Sequence, residues 1–252
     1  MVFYFCSMKK ETLLFGIYPV IEALKAKQTI DKAYVQKGLQ SPKIEAIIAD
    51  LEAINATISY VPLEKMEKLC HSNHQGIILI SSPIEFVDLE TMVEATLESD
   101  KIPLFLILDQ ISDVRNFGAI LRTAECTGVD GVIIQKKGGA PVSGDTVKTS
   151  AGAIFNIPIC KVDHIKDAIY YLQGSGITTI AATEKTEDTI YNLKLDGPTA
   201  IIMGSEGVGV SKSVLTIVDK RASLPLLGSI NSLNVSVACG ALLYEVVRQR
   251  SK

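Results

Sequence analysis

One stretch constrains the fold more than any other. "PLFLILD", residues 103–109, is apolar throughout until its final aspartate. A strand with one wet face alternates polar and apolar residues. A strand without alternation is covered on both faces, as in the middle of a parallel sheet flanked by helices. The same character recurs in "GVIIQ" (131–135), "ITTIAAT" (177–183) and "TAIIMG" (199–204). Helix-patterned segments lie between and after these runs, at 116–127, 165–173 and 233–250. Shorter helices are predicted at 147–151 and 211–217, and shorter strands at 155–159 and 221–224. Strands alternating with helices predict an α/β domain with a mainly parallel sheet. Trp is absent, so Ile, Leu, Val and Ala must fill most of its core.

The N-terminal part reads as a separate, smaller α/β unit at 11–80. A helix is predicted at 18–27, with Pro19 tolerated in its first turn. Strands follow at 32–36, 56–61 and 76–80, with helices at 42–54 and 63–70 between them. Such a unit is near the lower size for independent folding. Ser81, Ser82 and Pro83 break the pattern. Residues 81–100 are therefore read as a linker and leading helix, and 101–252 as the second domain.

The chain carries 25 Lys and Arg against 28 Asp and Glu. Net charge thus gives no support to a generic polyanion binder, although basic groups cluster at Lys9-Lys10, Lys136-Lys137 and 248–252. The 5 cysteines are odd in number and widely spaced, as expected in a reducing cytosol. Cys70, His71 and His74 offer metal ligands close together, but no second Cys/His pair stands nearby, so a loop is the better reading and no metal is expected. No apolar run approaches bilayer length. The start, "MVFYFCSMKKETLLFG", lacks the order of a secretory signal, and Met8 is a candidate natural start. A cytoplasmic protein is expected.

Ligands of parallel α/β sheets sit beyond the carboxyl ends of the strands. Three such loops hold most of the unusual polar residues. The first, "DQISDVRNFGAILRTAE", carries Asn116, which can cap the following helix, and Arg122. The second, "GSEGVG" (204–209), is neither a Walker loop nor a dinucleotide fingerprint, since Glu206 stands where a second glycine belongs. The third, "LPLLGSINSLNV", crowds Ser229, Asn231, Ser232 and Asn234 at a helix entrance. Capping needs one such residue; the remainder suit an uncharged polar ligand such as a ribose or a base edge.

"NFGAILRTAE", "IIMGSEGVGVS" and "LPLLGSINSLNVSVACGALLYE" resemble, in order, the three motifs of the SpoU (TrmH) family of RNA ribose 2′-O-methyltransferases, of the SPOUT superfamily. "FGIYPVIEALKAKQTIDKAYVQKGL" and "HQGIILI" resemble the small L30e-like RNA-binding domain of its bacterial 23S rRNA guanosine-2′-O-methyltransferase branch. The resemblance implies a SPOUT-type catalytic domain whose C-terminal segment forms a trefoil knot, a topology that general rules would have rejected. It implies S-adenosylmethionine as cofactor, contacted by Gly204, Leu224, Leu233 and Thr183. It implies a catalytic set of Asn116, Arg122, Glu206, Ser232 and Asn234. It also implies RNA as partner, 23S rRNA first, and a homodimer through the last helix, with Leu242, Leu243, Val246 and Val247 as its apolar stripe. The same chemistry on tRNA, and a non-catalytic RNA-binding module for ribosome assembly, are the alternatives.

A guanidinium does not normally deprotonate near neutral pH. Arg122 is therefore expected to stabilise a developing alkoxide and clamp the adjacent phosphate, rather than to act as base. Glu206 and Asn116 would hold its fork, and Ser232 and Asn234 would position the ribose.

Overall fold

The computed structural model describes residues 13–229 and 232–251. The expectations for the chain start, with Cys6, Lys9 and Lys10, and for Asn231 and Lys252 lie outside those residues. The chain divides into two compact units.

Among the described residues the first unit holds the chain up to Glu85 together with Pro141–Asp145. Its elements are β1 (Leu13–Phe15), α1 (Ile17–Lys25), β2 (Ile30–Gln36), α2 (Pro42–Ala53), β3 (Ile58–Val61), α3 (Leu63–Leu69) and β4 (Ile77–Ser81). The sheet order is β1-β4-β2-β3; β2 and β3 are parallel, and β4 runs antiparallel to β1 and β2. Strand alternation divides β4 between two cores. Ile77 and Leu79 pack with Val20, Ile44, Ile47 and Leu51 of α1 and α2. Ile78 packs with Val61, Met66 and Cys70 on the α3 side. The sequence reading missed β1, whose three half-buried residues are too short to show a period.

The second unit begins at Phe86. It contains α4 (Leu89–Leu97), β5 (Leu104–Asp109), α5 (Val114–Cys126), β6 (Gly131–Gln135), α6 (Gly144–Thr149, of which 146–149 belong to this unit), β7 (Ile159–Val162), α7 (Ile165–Gly174), β8 (Thr178–Ala182), β9 (Thr199–Gly204), α8 (Lys212–Leu215), β10 (Lys220–Ala222) and α9 (Val235–Arg250). Its sheet is parallel throughout, in the order β10-β8-β9-β5-β6-β7. Every residue of β5 is buried, as its lack of alternation predicts. Each fully buried Leu, Ile or Phe there contributes about 1.5–3 kcal/mol of transfer free energy.

Several expectations are corrected. The strand expected at 155–159 lies instead at Ile159–Val162. A left-handed Gly152 turns the chain into a 3-10 turn at Ala153–Phe155, leaving Phe155 largely exposed, and β7 starts only after Pro158. Helix α5 starts at Val114, because Asp113 caps it by accepting the Asn116 N–H at 2.8 Å. Asn116 is therefore not the cap. Helix α9 starts at Val235, which leaves Leu233 ahead of it. Leu242, Leu243 and Val246 are buried within the chain, where α9 packs on α5, so they cannot form an intersubunit stripe. The exposed face of α9 instead carries Val237, Ala241, Tyr244 and Arg248, at helical spacing.

The C-terminal segment is tied to the connection between β8 and β9 at two places. Ser223 N–H donates to Asp188 O, and Ile190 N–H donates to Ser223 O. At the end of α9, Gln249 bonds Leu193 and Leu195, and the Arg250 guanidinium donates to the carbonyls of Leu195, Gly197, Ile102 and Pro103. No described helix is long and apolar enough to cross a membrane.

Candidate active site

Parallel strands place their carboxyl ends along one edge. The register pairs Asp109 with Gly204 across β5 and β9, and Ala182 with Ala222 across β8 and β10. The segments after these strands therefore emerge side by side.

After β9 the chain makes a tight loop. Gly209 N–H donates to Ser205 O at 2.9 Å, and Gly207 and Gly209 adopt positive φ. The loop folds back so closely that a Cβ on Gly204 would lie 2.0 Å from the backbone of Gly209 and Val210. Only glycine fits there. Buried Asp109 fixes the far end of the loop, accepting the Ser211 N–H at 2.8 Å. The sequence reading gave Asp109 no role; its signal was a lone carboxylate ending an apolar strand.

This loop presents Glu206 to two amides from other segments. Asn116 Nδ2 donates to Glu206 Oε1 at 2.8 Å. Asn234 Nδ2 donates to the same oxygen at 3.0 Å and to Asn116 Oδ1 at 3.0 Å. The orientation of Asn234 follows from its second task. Its Oδ1 caps α9, accepting from Ser236 N–H at 3.0 Å, from Val237 N–H and from the Ser236 hydroxyl. The amide nitrogen is then left for the cluster. Glu206 Oε2 has no partner among the described residues, so the cluster offers one open carboxylate oxygen.

Of the five expected catalytic residues, the fold brings Asn116, Glu206 and Asn234 together. Arg122 stands six residues beyond Asn116 on α5, about 9 Å along the axis and on another face. It is exposed, and no hydrogen bond or ion pair among the described residues joins it to the cluster. Ser232 is exposed just before Asn234, likewise without a bond to the cluster. Of the expected cofactor contacts, Thr183 follows β8, its N–H bonded to Ala222 O and its hydroxyl accepting the Lys185 N–H. Leu224 is half-buried after β10, and Leu233 is exposed.

The segment 224–229 shows what the site can hold. Leu226 and Leu227 are exposed, and no hydrogen bond among the described residues engages the backbone there. Apolar side chains beside free backbone donors and acceptors suit a planar heterocycle with a polar edge, which fits the adenine of S-adenosylmethionine. Among the described residues no group of three or more His, Cys, Asp and Glu could hold a metal.

Residues 103–244 match the model of the SpoU rRNA methylase family, and residues 13–87 match that described as RNA 2′-O ribose methyltransferase substrate binding. The chain belongs to the SpoU family. The two models describe rRNA methylation and RNA 2′-O-ribose methylation. A Staphylococcus aureus protein named for the TrmH family of tRNA/rRNA methyltransferases is 35% identical over 242 residues, covering 96% of this SpoU chain and 97% of its own. The solved SpoU methyltransferase AviRb of Streptomyces viridochromogenes, in complex with AdoMet, shares the fold with a TM-score of 0.60 at 23% identity, over 96% of this chain and 91% of that one. The TrmH/SpoU tRNA modifying enzyme of A. aeolicus is 30% identical with a TM-score of 0.54, covering 65% of this chain and 82% of its own.

Proposed function

We propose that this SpoU-family chain methylates the ribose 2′-hydroxyl of a guanosine in 23S rRNA. The observation that carries the reading is the Asn116–Glu206–Asn234 cluster, assembled from three separate strand-end segments. The rRNA description of the family model over 103–244 supports ribosomal RNA, and the substrate-binding model over 13–87 supports an RNA substrate. Work on ribosomal RNA suits a cytoplasmic protein. The 11–80, 81–100 and 101–252 division assigns RNA selection to the first part and chemistry to the last. The ties of the C-terminal segment to the β8–β9 connection support the trefoil knot.

Gly204, Leu224, Leu233 and Thr183 would hold S-adenosylmethionine, which supplies a methyl group on a positively charged sulfur. The residues must then bring a ribose oxygen in line with that methyl, because displacement at carbon requires collinear atoms. Asn116 and Asn234 fix Glu206 Oε1, so Oε2 faces the substrate with a set direction. Ser232 adds a hydroxyl for the sugar. Arg122, unpaired among the described residues and exposed, is available to a phosphate and to the oxygen as its proton leaves. A homodimer would use the exposed α9 face with Val237 and Tyr244.

The test is a map of 2′-O-methylation on 23S rRNA from cells with and without the protein. Loss of methylation at one guanosine is expected. An unchanged rRNA map with loss at a tRNA position would transfer the activity to tRNA.

A further inference from the structure

The first unit contains a cavity of about 520 Å³ between the end of β2, helix α3 and the loop 70–76. It lies within the size range of small-ligand sites. Nothing in the catalytic reading uses it. We propose that it receives an unpaired guanine base of the RNA substrate; this rests on the RNA reading above and names the feature that the first unit selects.

The walls carry the chemistry. Leu39 and Leu63 line the cavity and are both exposed, 39% and 43%, which leaves flat apolar surface for the face of a base. Glu67 also lines it, from α3. A carboxylate accepts two parallel donors, and among the four RNA bases only guanine has two adjacent donors, N1–H and the N2 amine, on its pairing edge. His74 supplies the complement. It is 8% exposed and lines the cavity, and its Nδ1 accepts the Gly76 N–H at 3.0 Å. The ring proton therefore sits on Nε2, a donor with no acceptor among the described residues and suited to guanine O6. Gln36 and Asn73 add amides to the same walls.

The backbone is shaped for this space. Gln75 and Gly76 both adopt positive φ, 50° and 82°. A Cβ on Gly76 would meet Leu39 Cδ2 at 2.1 Å, so a side chain there would displace the apolar wall. Gln75 in turn anchors the start of α1, its Oε1 accepting the Ile17 N–H at 3.0 Å. Beside that anchor stands Tyr18, 64% exposed, with the Lys43 ammonium 4.8 Å from its ring centroid and 2.9 Å from its hydroxyl. An exposed ring and a cation near an apolar slot with a polar edge match single-stranded RNA, whose bases stack on aromatic rings and whose phosphates attract cations.

The test is fluorescence anisotropy of the full chain with labelled oligouridylates that carry one central guanosine, adenosine, cytidine or inosine, at a single salt concentration. The guanosine oligomer should bind about tenfold tighter than the adenosine and cytidine ones. Inosine, which keeps N1–H and lacks the N2 amine, should fall between. Glu67 is exposed on its helix, so Glu67→Gln should fold normally, keep S-adenosylmethionine binding by calorimetry, and lose the guanosine preference. Equal affinity for all four oligomers, or a preference that survives Glu67→Gln, overturns the proposal. If the chain binds S-adenosylmethionine and methylates RNA while treating the oligomers alike, only this proposal falls. If it binds no S-adenosylmethionine, the methyltransferase reading falls instead, and the guanosine preference is judged on its own.

Discussion

The side-chain nitrogen of Asn116 donates to Glu206 Oε1 over 2.8 Å, joining residues that stand 90 positions apart. Because the cluster is partly wet, each of its bonds adds only about 1 kcal/mol to stability. Its value is geometric: it sets the direction of one carboxylate oxygen.

Asn116→Asp tests that geometry with a near-isosteric change. A second carboxylate would stand against Glu206, and like charges at this range cannot both ionise comfortably. Methyl transfer should fall by about a hundredfold, while S-adenosylmethionine affinity, measured by calorimetry, stays within a few-fold. An equal loss of affinity would show that the cluster serves cofactor binding instead.

Arg250 anchors the end of α9 through four carbonyls on two separate stretches, Ile102 and Pro103 before β5, and Leu195 and Gly197 before β9. Burial pushes its pKa down, and Asp130 and Asp196 oppose this. Arg250→Ala should cost about 2–3 kcal/mol in urea unfolding, and Arg250→Lys should recover little, since an ammonium lacks the planar fork. Full recovery by lysine would contradict the fork.

Much of the fold was legible because burial leaves a plain mark on sequence. The unalternating run before Asp109 announced a central strand, and glycines around Glu206 announced a tight loop. What stayed hidden depends on competition between neighbours. Asp113 and Asn116 are both good caps, and only the helix start shows that Asp113 takes the task and frees Asn116. Helix α9 is apolar on opposite faces, so its pattern could not say that Leu242, Leu243 and Val246 serve the core while Val237 and Tyr244 face outward. The bonds tying Arg250 to carbonyls as distant as Ile102 leave no periodic trace at all.

The cysteines should differ sharply in reactivity. Burial pushes the Cys160 and Cys239 thiols up to about 12, with Asp88 adding to the effect at Cys160. Cys126 is exposed. The thiolate is the reactive form, so iodoacetamide at neutral pH should label Cys126 in the folded chain and the two buried thiols only after denaturation. Mass spectrometry of peptides reads this directly; equal labelling of all three in the native chain would contradict the packing.

Glu245 ties α9 to its own last turn. The Arg248 fork holds its carboxyl below the ordinary value; burial works against this, and a bond from Gln249 adds to it. A carboxyl lowered on folding stabilises the protein above its unfolded pKa of about 4.3, and that contribution is lost as pH falls through the folded value. Glu245→Gln should therefore be less stable than the parent chain at neutral pH, with the gap closing in acid. A gap independent of pH would show that packing, not charge, is what the substitution removes.

The most direct measurement supplies the purified chain with S-adenosylmethionine labelled in its methyl group and with unmethylated 23S rRNA, then digests the RNA to nucleosides. The account predicts label on the ribose 2′-oxygen of a guanosine, abolished by Arg122→Ala in protein that still binds S-adenosylmethionine. Label on a base, or undiminished transfer by Arg122→Ala, would contradict it.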